Sequence, residues 1–327
     1  MSNHRQMHLQ PITDELDKEP IRSGFGRGLV KAGEQDSQVV AACADLTGST
    51  KMDSFAEAFP DRFIEIGIAE QNLVTTGSGL AAMGKIPFVS SYAAFSPGRN
   101  WEQIRTTICL NERPVKIVGS HAGISVGPDG ATHQMLEDIA LMRVLPHMVV
   151  VAPGDSVEAE KATIALAQDK ERPAYLRLAR EGTPVFTTEQ TPFEIGKAYV
   201  YAPGHDITVI TTGTMTYHAL RAADALFNHG IDLEVVHVPT IKPLDASTIL
   251  TSVQKTGRVI TVEEAQIAGG LGGAIAELIA EHHPAPMKRI GMRDRFGESG
   301  DPDELLEKFG LTAKHIEQAA REMMKNK

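Results

Sequence analysis

The 327-residue sequence is poor in cysteine. Its two cysteines, Cys43 and Cys109, lie far apart inside apolar segments, and neither has a second cysteine nearby to suggest a metal pair or a redox motif. We read them as buried free thiols in a reducing compartment. The first 17 residues are polar and lack the apolar core of a signal peptide. A cytoplasmic location is therefore expected.

Long apolar runs and basic runs are also missing. The longest apolar runs, such as residues 148–152, have the length of a strand, so we expect no membrane span. The net charge is −10, with no long basic run. This charge argues against nucleic acid or an anionic membrane as the main partner.

Short apolar segments rich in β-branched residues alternate with amphipathic segments along most of the chain. This alternation predicts mostly parallel sheets covered by helices on both faces. Because 327 residues exceed one ordinary core, we expect two α/β domains. The predicted strands are residues 39–43, 63–66, 87–90, 115–119, 148–152 and 174–178, then 207–212, 233–239, 258–263 and 287–291. The predicted helices are residues 21–32, 51–58, 70–83, 100–110, 134–144 and 156–168, then 217–228, 246–255, 272–282 and 313–325.

A polar, proline-marked segment separates the two predicted domains. We expect a loosely held or partner-contacting extension over residues 1–20, a first domain over 21–185, a linker over 186–195 and a second domain over 196–327. Gly24, Gly26 and Gly28 imitate a dinucleotide-binding fingerprint, but no strand precedes them, so we predict a helix there instead.

Polar side chains follow the predicted strands of the first domain. Glu70 falls in the first turn of a helix at the carboxyl end of a strand, where ligands bind in parallel sheets. It could instead only complement the helix dipole. Asp45 and Ser49 follow the first strand, although Ser49 could be a helix N-cap. Arg99 and Arg105, further along, are expected to be solvated.

The loop from His121 to His133 carries two imidazoles and the carboxylate of Asp129. So much polarity in a buried loop is costly unless these groups meet one another or a ligand. The spacing does not match a standard metal site, so no metal ligands are assigned. Tyr92 and Phe95 are either core residues or the two faces of a slot for a flat ring.

Arg177 and Arg180 close the last strand of the first domain. Each could form a surface salt bridge, or it could grip a phosphate or sulfonate.

Together these stretches resemble the transketolase family, in its pyrimidine-binding and C-terminal domains. The resemblance covers nearly everything after residue 20. The matching stretches are Asp45-Leu-Thr-Gly-Ser49, Gly67-Ile-Ala-Glu-Gln71, Ser91-Tyr-Ala-Ala-Phe95, Asp129-Gly-Ala-Thr-His-Gln134, Leu178-Ala-Arg180, Lys242-Pro-Leu-Asp245 and the glycine-rich segment 262–273.

The resemblance implies a cofactor, thiamine diphosphate. Glu70 corresponds to the acid that hydrogen-bonds the aminopyrimidine and favours its imino tautomer, which then removes the thiazolium proton. Tyr92 and Phe95 correspond to ring-stacking positions, with Tyr92 where Phe is more usual. Asp45 corresponds to a position near the cofactor.

The resemblance also implies a reaction, transfer of a two-carbon ketol unit from a ketose phosphate to an aldose phosphate. His121, Asp129 and His133 correspond to positions that contact the sugar, and the histidines to positions that move protons. Ser49 and Arg180 correspond to positions that bind the sugar phosphate.

Full-length transketolases carry an earlier domain with a Gly-Asp-Gly…Asn pattern that holds Mg2+ and the cofactor diphosphate. No such segment occurs in this sequence. The resemblance therefore implies the C-terminal half of a split transketolase, with an N-terminal partner subunit that supplies the Mg2+ ligands. We expect a heterotetramer of two copies of each chain, with the second domain serving assembly.

Other interpretations stay open. The enzyme could act on a branched or sulfonated sugar, resemble deoxyxylulose-phosphate synthase, or be a 2-oxo acid dehydrogenase beta subunit. A noncatalytic regulatory or scaffolding subunit is the alternative outside enzymes.

Overall fold

Two α/β layers organise the chain, as the alternation of strands and helices predicts. The structure is a computed structural model and describes residues 7–325. Within that range a seven-stranded sheet and a five-stranded sheet each carry helices, and a two-stranded ribbon joins distant parts of the chain. None of the helices in the described range has the length and apolarity needed to cross a bilayer.

The seven-stranded sheet is parallel except at one edge. Its strands run in the order β12-β6-β7-β5-β4-β2-β3. Most of them are buried along their whole length, because helices cover both faces and leave no polar side to alternate with. The strands from the first part of the chain are β2 Val39–Cys43, β3 Phe63–Glu65, β4 Ile86–Tyr92, β5 Lys116–Ser120, β6 Val149–Val151 and β7 Ala174–Arg177. The helices are α1 Ile21–Gln35, α2 Asp53–Ala58, α3 Glu70–Ala82, α4 Trp101–Gln103, α5 Asp138–Arg143 and α6 Ser156–Gln168, with short 3-10 turns at Pro60–Arg62 and Ile124–Asp129.

The five-stranded sheet has the order β14-β13-β10-β11-β9, with β9 antiparallel at its edge. Its strands are β9 Tyr199–Ala202, β10 Ile207–Thr211, β11 Leu233–His237, β13 Val259–Gln266 and β14 Met287–Met292. Its helices are α7 Met215–Phe227, α8 Ala246–Thr256, α9 Leu271–His282, α10 Pro302–Lys308 and α11 Ala313–Lys325. Strand β9 and helix α10 were missed from the sequence, although Asp301 followed by Pro302 is a helix-start signal, and Asp301 does cap α10.

The second part of the chain also contributes to the first sheet. Strand β12, Thr240–Lys242, pairs antiparallel with β6 at the edge of the seven-stranded sheet. In addition, β1, Lys18–Pro20, pairs with β8, Gly182–Pro184. The two sheets are therefore tied together by strand pairing as well as by the connecting segment.

The expectation of a loosely held N-terminal extension is wrong for the described part of that extension. Met7, Leu9, Ile12 and Leu16 pack against the apolar core of the second sheet. Backbone hydrogen bonds tie this segment to residues 185–186. The first six residues of the extension lie outside the described residues.

The three early glycines lie inside α1, so the predicted helix is confirmed, although the expectation that no strand precedes them is wrong, because β1 ends at Pro20. A Cβ at Gly24 would lie 1.8 Å from the Ser156 carbonyl oxygen, and one at Gly28 would lie 2.7 Å from the Glu160 carbonyl oxygen. Glycine is needed there because α1 and α6 pack with their backbones almost in contact.

Two predicted helices of the first domain differ in form. Helix α5 begins at Asp138 and not at Gln134, because the buried Gln134 amide donates to the carbonyl oxygens of Ile124, Gly127 and Glu298 and holds the loop open. The segment predicted as a helix over 100–110 has one α-helical turn and then a π-helix, Ile104–Cys109.

A buried hydrogen-bond network joins the two sheets. The Asp155 carboxylate caps α6 and accepts hydrogen bonds from the backbone N–H groups of Phe186 and Thr187 at 2.9 and 2.7 Å. Glu158 Oε2 lies 2.8 Å from His237 Nε2 on β11. These groups fix the position of the connecting segment against both domains.

Candidate active site

The polar residues that follow the strands lie at one edge of the seven-stranded sheet. In a parallel sheet the carboxyl ends of the strands meet at the same edge. The register pairs Tyr92 at the end of β4 with Ser120 at the end of β5, so Tyr92 and His121 are neighbours. The candidate residues of this edge are Asp45 after β2, Glu70 after β3, Tyr92 and Phe95 after β4, His121 after β5 and Arg180 after β7.

Glu70 is the first residue of α3, and it is only 2% exposed. Its carboxylate pairs with Arg99, with Nη1 and Oε2 2.7 Å apart. Asn100, which is fully buried, donates from Nδ2 to the Glu70 carbonyl oxygen at 2.8 Å. A carboxylate this deeply buried is costly without a partner, so a role limited to the helix dipole does not explain it. Arg99 and Arg105 are both exposed, as expected, but Arg99 also forms the ion pair with Glu70 that the sequence did not predict.

An aromatic cluster lies beside Glu70. The rings of Tyr92 and His121 stack with centroids 3.7 Å apart, and Phe95 meets His133 edge to face at 5.4 Å. The Tyr92 and Phe95 rings are nearly parallel with centroids 6.2 Å apart. A ring inserted between them would need about 7 Å, twice the closest aromatic packing distance of about 3.5 Å. In this arrangement a flat ligand can stack on Phe95 only by displacing what already lies against it.

His121 is nearly fully buried, and it adopts a left-handed backbone conformation with φ +56°. Its Nδ1 lies 2.8 Å from Ser120 Oγ. Burial lowers the pKa of His121 to about 3, and the positive charges of Arg22 and Arg180 act in the same direction. The imidazole is therefore uncharged at neutral pH, and can donate or accept a hydrogen bond without carrying a proton into the site.

Two arginines face the same region from different elements. Arg22, in the first turn of α1, donates from Nη1 to the Ser49 carbonyl oxygen at 2.5 Å. Arg180 donates from Nη1 to the Val126 carbonyl oxygen at 2.7 Å. Burial lowers the pKa of Arg22, and the nearby positive charge of Arg180 adds to this effect. Arg22 Nε is buried without a hydrogen-bond partner among the described residues. Two close guanidinium groups with an unused donor suit an anionic ligand.

Arg22 was missed from the sequence. It lies 158 positions before Arg180 along the chain, so no local spacing connects them. The one available signal was its place in the first turn of a helix, where the helix dipole disfavours a cation.

Three candidates have weaker links to this cluster. Asp45 and Asp129 are exposed, and among residues 7–325 their side chains take no part in the contacts that join the aromatic and arginine residues. Ser49 contributes its backbone carbonyl to Arg22, and it does not cap α2, which begins after Met52.

Arg177 has a structural role. Its Nε pairs with the fully buried Asp138 at 2.8 Å, and its Nη2 donates to the Glu264 carbonyl oxygen. A surface salt bridge was therefore the wrong reading for Arg177, which ties the first sheet to β13. Arg180 is the arginine of this pair that stays near the histidines.

The residues present suit one end of thiamine diphosphate. A buried carboxylate whose counter-charge is a half-exposed arginine, beside the ring of Phe95, matches what a protonatable aminopyrimidine needs. Within the described range no group of three or more His, Cys, Asp or Glu side chains is arranged to hold a metal ion.

Comparison with known proteins identifies both domains. Residues 18–185 match the family model for the transketolase pyrimidine-binding domain, and residues 196–316 match the model for the transketolase C-terminal domain.

Individual relatives match over almost their whole length. The chain is 44% identical to the putative transketolase C-terminal section of Methanocaldococcus jannaschii, covering 93% of this chain and 96% of that protein. It is 41% identical to the 6-deoxy-6-sulfo-D-fructose transketolase subunit SqwH of Clostridium sp. (strain MSTE9), covering 97% and 98%. A solved structure described as a split gene transketolase, inactive beta4 tetramer, is 43% identical, with a TM-score of 0.87 over 93% of this chain and 97% of that one. The chain therefore belongs to the transketolase family.

Proposed function

We propose that this chain is the C-terminal subunit of a split transketolase that depends on thiamine diphosphate. It transfers a two-carbon ketol unit from a ketose phosphate to an aldose phosphate. The observation that carries the proposal is the buried Glu70 carboxylate at the sheet edge, which is linked through Arg99 to the ring of Phe95. The relatives that match over nearly their full length are described as a transketolase C-terminal section and a transketolase subunit, which supports this assignment.

At the cofactor end, Glu70 would hold the aminopyrimidine by a hydrogen bond, and Phe95 would stack against the ring. Tyr92 would support Phe95 from its neighbouring position, and Asp45 would lie at the margin of the ring site. When bound, the cofactor supplies the carbanion chemistry that breaks and forms the C–C bond. The fixed start of α3, held by Asn100, keeps the Glu70 carboxylate in place for proton sharing with the ring.

At the substrate end, Arg22, Arg180 and Ser49 would bind the anionic group of the sugar. His121 and His133 would contact the hydroxyls and carbonyl near the reacting carbons, and Asp129 would contact the sugar from the loop. Because His121 is uncharged at neutral pH, it can donate or accept a hydrogen bond at the reacting carbons, but its low pKa makes it a weak base, so the hydroxyl proton would pass to His133 during cleavage.

The partner subunit belongs to the proposal as well. An N-terminal subunit would hold the diphosphate and Mg2+, giving a heterotetramer of two copies of each chain. The solved relative described as an inactive tetramer of beta chains supports dependence on a second chain, since that assembly of one chain type is inactive.

Reconstitution tests the proposal. The purified chain is assayed alone and after mixing with its candidate N-terminal subunit, with thiamine diphosphate, Mg2+, a ketose phosphate and an aldose phosphate. We expect turnover only in the mixture, and no turnover when Glu70→Ala replaces the wild-type chain in an intact complex. Full turnover by the chain alone, or by the Glu70→Ala complex, would contradict the proposal.

A sulfonated sugar is the second candidate substrate. The chain is 41% identical to a subunit named for sulfofructose, and two arginines bind a sulfonate as well as a phosphate. The same reconstituted enzyme is offered a ketose phosphate and a 6-deoxy-6-sulfo ketose in parallel. A higher kcat/KM for the sulfonate assigns this candidate, and a higher value for the phosphate excludes it.

A further inference from the structure

We propose that Arg99 is a built-in substitute for the aminopyrimidine, and that it must leave Glu70 before thiamine diphosphate can bind. This inference rests on the proposed function, because it takes Glu70 as the residue that holds the ring. It assigns to Arg99 a role in setting cofactor affinity.

Arg99 already makes the two contacts that the ring would need. Its guanidinium donates a hydrogen bond to Glu70 Oε2 at 2.7 Å, and its carbon Cζ lies 4.8 Å from the centre of the Phe95 ring. A guanidinium is flat and cationic, and it carries N–H donors in its plane, as a protonated aminopyrimidine does. While Arg99 stays in this position, it competes with the ring for Glu70 Oε2 and for the face of Phe95 that it covers.

Glu70 depends on this arginine while the ring is not bound. Among residues 7–325, Arg99 provides the hydrogen bond that the Glu70 carboxylate accepts, and the carboxylate is 3% exposed. An ionised carboxylate at this depth needs a counter-charge or a donor. Arg99 therefore keeps the buried Glu70 carboxylate hydrogen-bonded until the ring replaces it.

Arg99 can move away at small cost once the ring takes its place at the Glu70 carboxylate. Its side chain is half exposed, so its head group can be hydrated once it leaves the carboxylate. The backbone beside it stays in place, because the neighbouring Asn100 is buried and bonded to Ser96 Oγ and to the Glu70 carbonyl oxygen. Displacement therefore requires a side-chain rotation, without movement of α3.

Substitution of Arg99 tests this competition in the assembled enzyme. The dissociation constant for thiamine diphosphate is measured by calorimetry for the wild type, Arg99→Ala and Arg105→Ala. Arg105 is the matched control, since it is an exposed arginine six positions further on. We expect Arg99→Ala to bind the cofactor about fivefold more tightly, the scale of a half-exposed ion pair, and Arg105→Ala to bind as the wild type does. Unchanged or weaker binding by Arg99→Ala would overturn the inference.

A second variant and a second measurement separate this inference from the proposed function. Arg99→Gln keeps a neutral donor beside Glu70 and serves if Arg99→Ala fails to fold; the same tighter binding is expected. Thermal melting without cofactor should be lower for Arg99→Ala than for Arg105→Ala, and the deficit should disappear with saturating cofactor. Glu70→Ala is measured beside them. If it binds cofactor as the wild type does, the proposed function fails, whereas loss of binding in Glu70→Ala without a gain in Arg99→Ala rejects the role of Arg99 alone.

Discussion

Arg22 and Arg180 place two positive charges close together at the edge of the first sheet, and Arg22 keeps an unused buried N–H. The Glu181 carboxylate, 3.2 Å from Arg180 Nη1, offsets part of this positive charge, and an anion that bonds to both arginines would offset more of it. The two residues belong to α1 and to the segment after β7, so the proposed anion site forms only when the fold brings both ends of the first domain together.

We expect Arg22→Ala and Arg180→Ala each to lower kcat/KM for a phosphorylated substrate by about 10- to 100-fold, the scale of a lost charged hydrogen bond. The loss should appear mainly in KM, because the anion is bound equally in the ground state and the transition state. Steady-state kinetics with phosphorylated and unphosphorylated acceptors checks this. Equal losses for both acceptors would count against an anion site, and Arg105→Ala serves as the charge-matched control.

His121 links the site to pH. Its pKa is about 3 in the folded chain, against about 6.5 for an unfolded histidine. Between these two pKa values the imidazole is therefore protonated in the unfolded state and neutral in the folded state. The contribution of the neutral ring is complete above pH 6.5 and is lost as the pH falls towards 3.

We expect His121→Asn to lose less stability than the wild type on acidification, with the difference reaching about 2 kcal/mol near pH 4.5. Urea unfolding at a series of pH values measures it. His282→Asn, at an exposed position, is measured beside it as the matched histidine substitution. Parallel pH curves for the wild type and His121→Asn would show that His121 can be protonated in the folded chain.

At this scale, what could be predicted depended on distance along the chain. Glu70 and His121 stand next to strands with recognisable patterns, so their position at the sheet edge followed from the alternation. Arg99 lies 29 positions after Glu70, beyond α3 and β4, and no periodicity encodes the turn after β4 that brings the two side chains together. Asp45 and Asp129 lie at the same edge, but nothing in the sequence distinguished them from the residues that contact one another there, such as Tyr92 and His121.

At the scale of elements, helix α1 shows how backbone contact decides composition. Its glycines at 24 and 28 lie against the backbone of α6, where a Cβ would overlap carbonyl oxygens. The predicted helix was correct, but the reason for its glycines is tertiary, and it became visible only when α6 was placed beside it. The predicted start of α5 was wrong for a similar reason, since the Gln134 amide is held by carbonyl groups of its own loop and of the distant Glu298.

We expect Gly24→Ala to destabilise the chain by about 3 kcal/mol or more, because the backbones of two helices must separate to admit the methyl group. Gly79→Ala is the matched control. It is an exposed helical glycine in α3, and a Cβ there meets nothing within 4 Å, so alanine should stabilise the chain by about 0.5 to 1 kcal/mol. Denaturant unfolding measures both. A Gly24→Ala variant as stable as the wild type would mean that the backbones of α1 and α6 leave room for a methyl group at position 24.

At the scale of the whole molecule, the two sheets behave as one body. Strand β12 leaves the second domain to complete the first sheet. Asp155 accepts three hydrogen bonds from the connecting segment, from Phe186 N–H and from the backbone and hydroxyl of Thr187, and a fourth from Glu158 N–H in α6. A boundary drawn from sequence composition cannot show this, because β12 has three residues and its partner lies about 90 positions away. The alternation of strands and helices was enough to predict two α/β domains, but not the pairing between them.

We expect Asp155→Ala to lower the free energy of unfolding by about 3 kcal/mol or more, since it leaves buried backbone N–H groups without an acceptor. Asp301→Ala, which removes the N-cap of the exposed start of α10, should cost about 1 kcal/mol. Urea unfolding followed by circular dichroism checks both values. Equal costs for the two variants would show that the Asp155 network does not hold the connecting segment.

The central claim is that the buried Glu70 carboxylate acts on a thiamine ring held jointly with a second chain. The most direct measurement is the rate at which the C2 hydrogen of bound thiamine diphosphate exchanges with deuterium in the assembled complex, for the wild type and for Glu70→Gln. We predict exchange at least about 100-fold slower in Glu70→Gln, in complexes of the same size and cofactor content. Equal exchange rates in the two complexes would contradict the account.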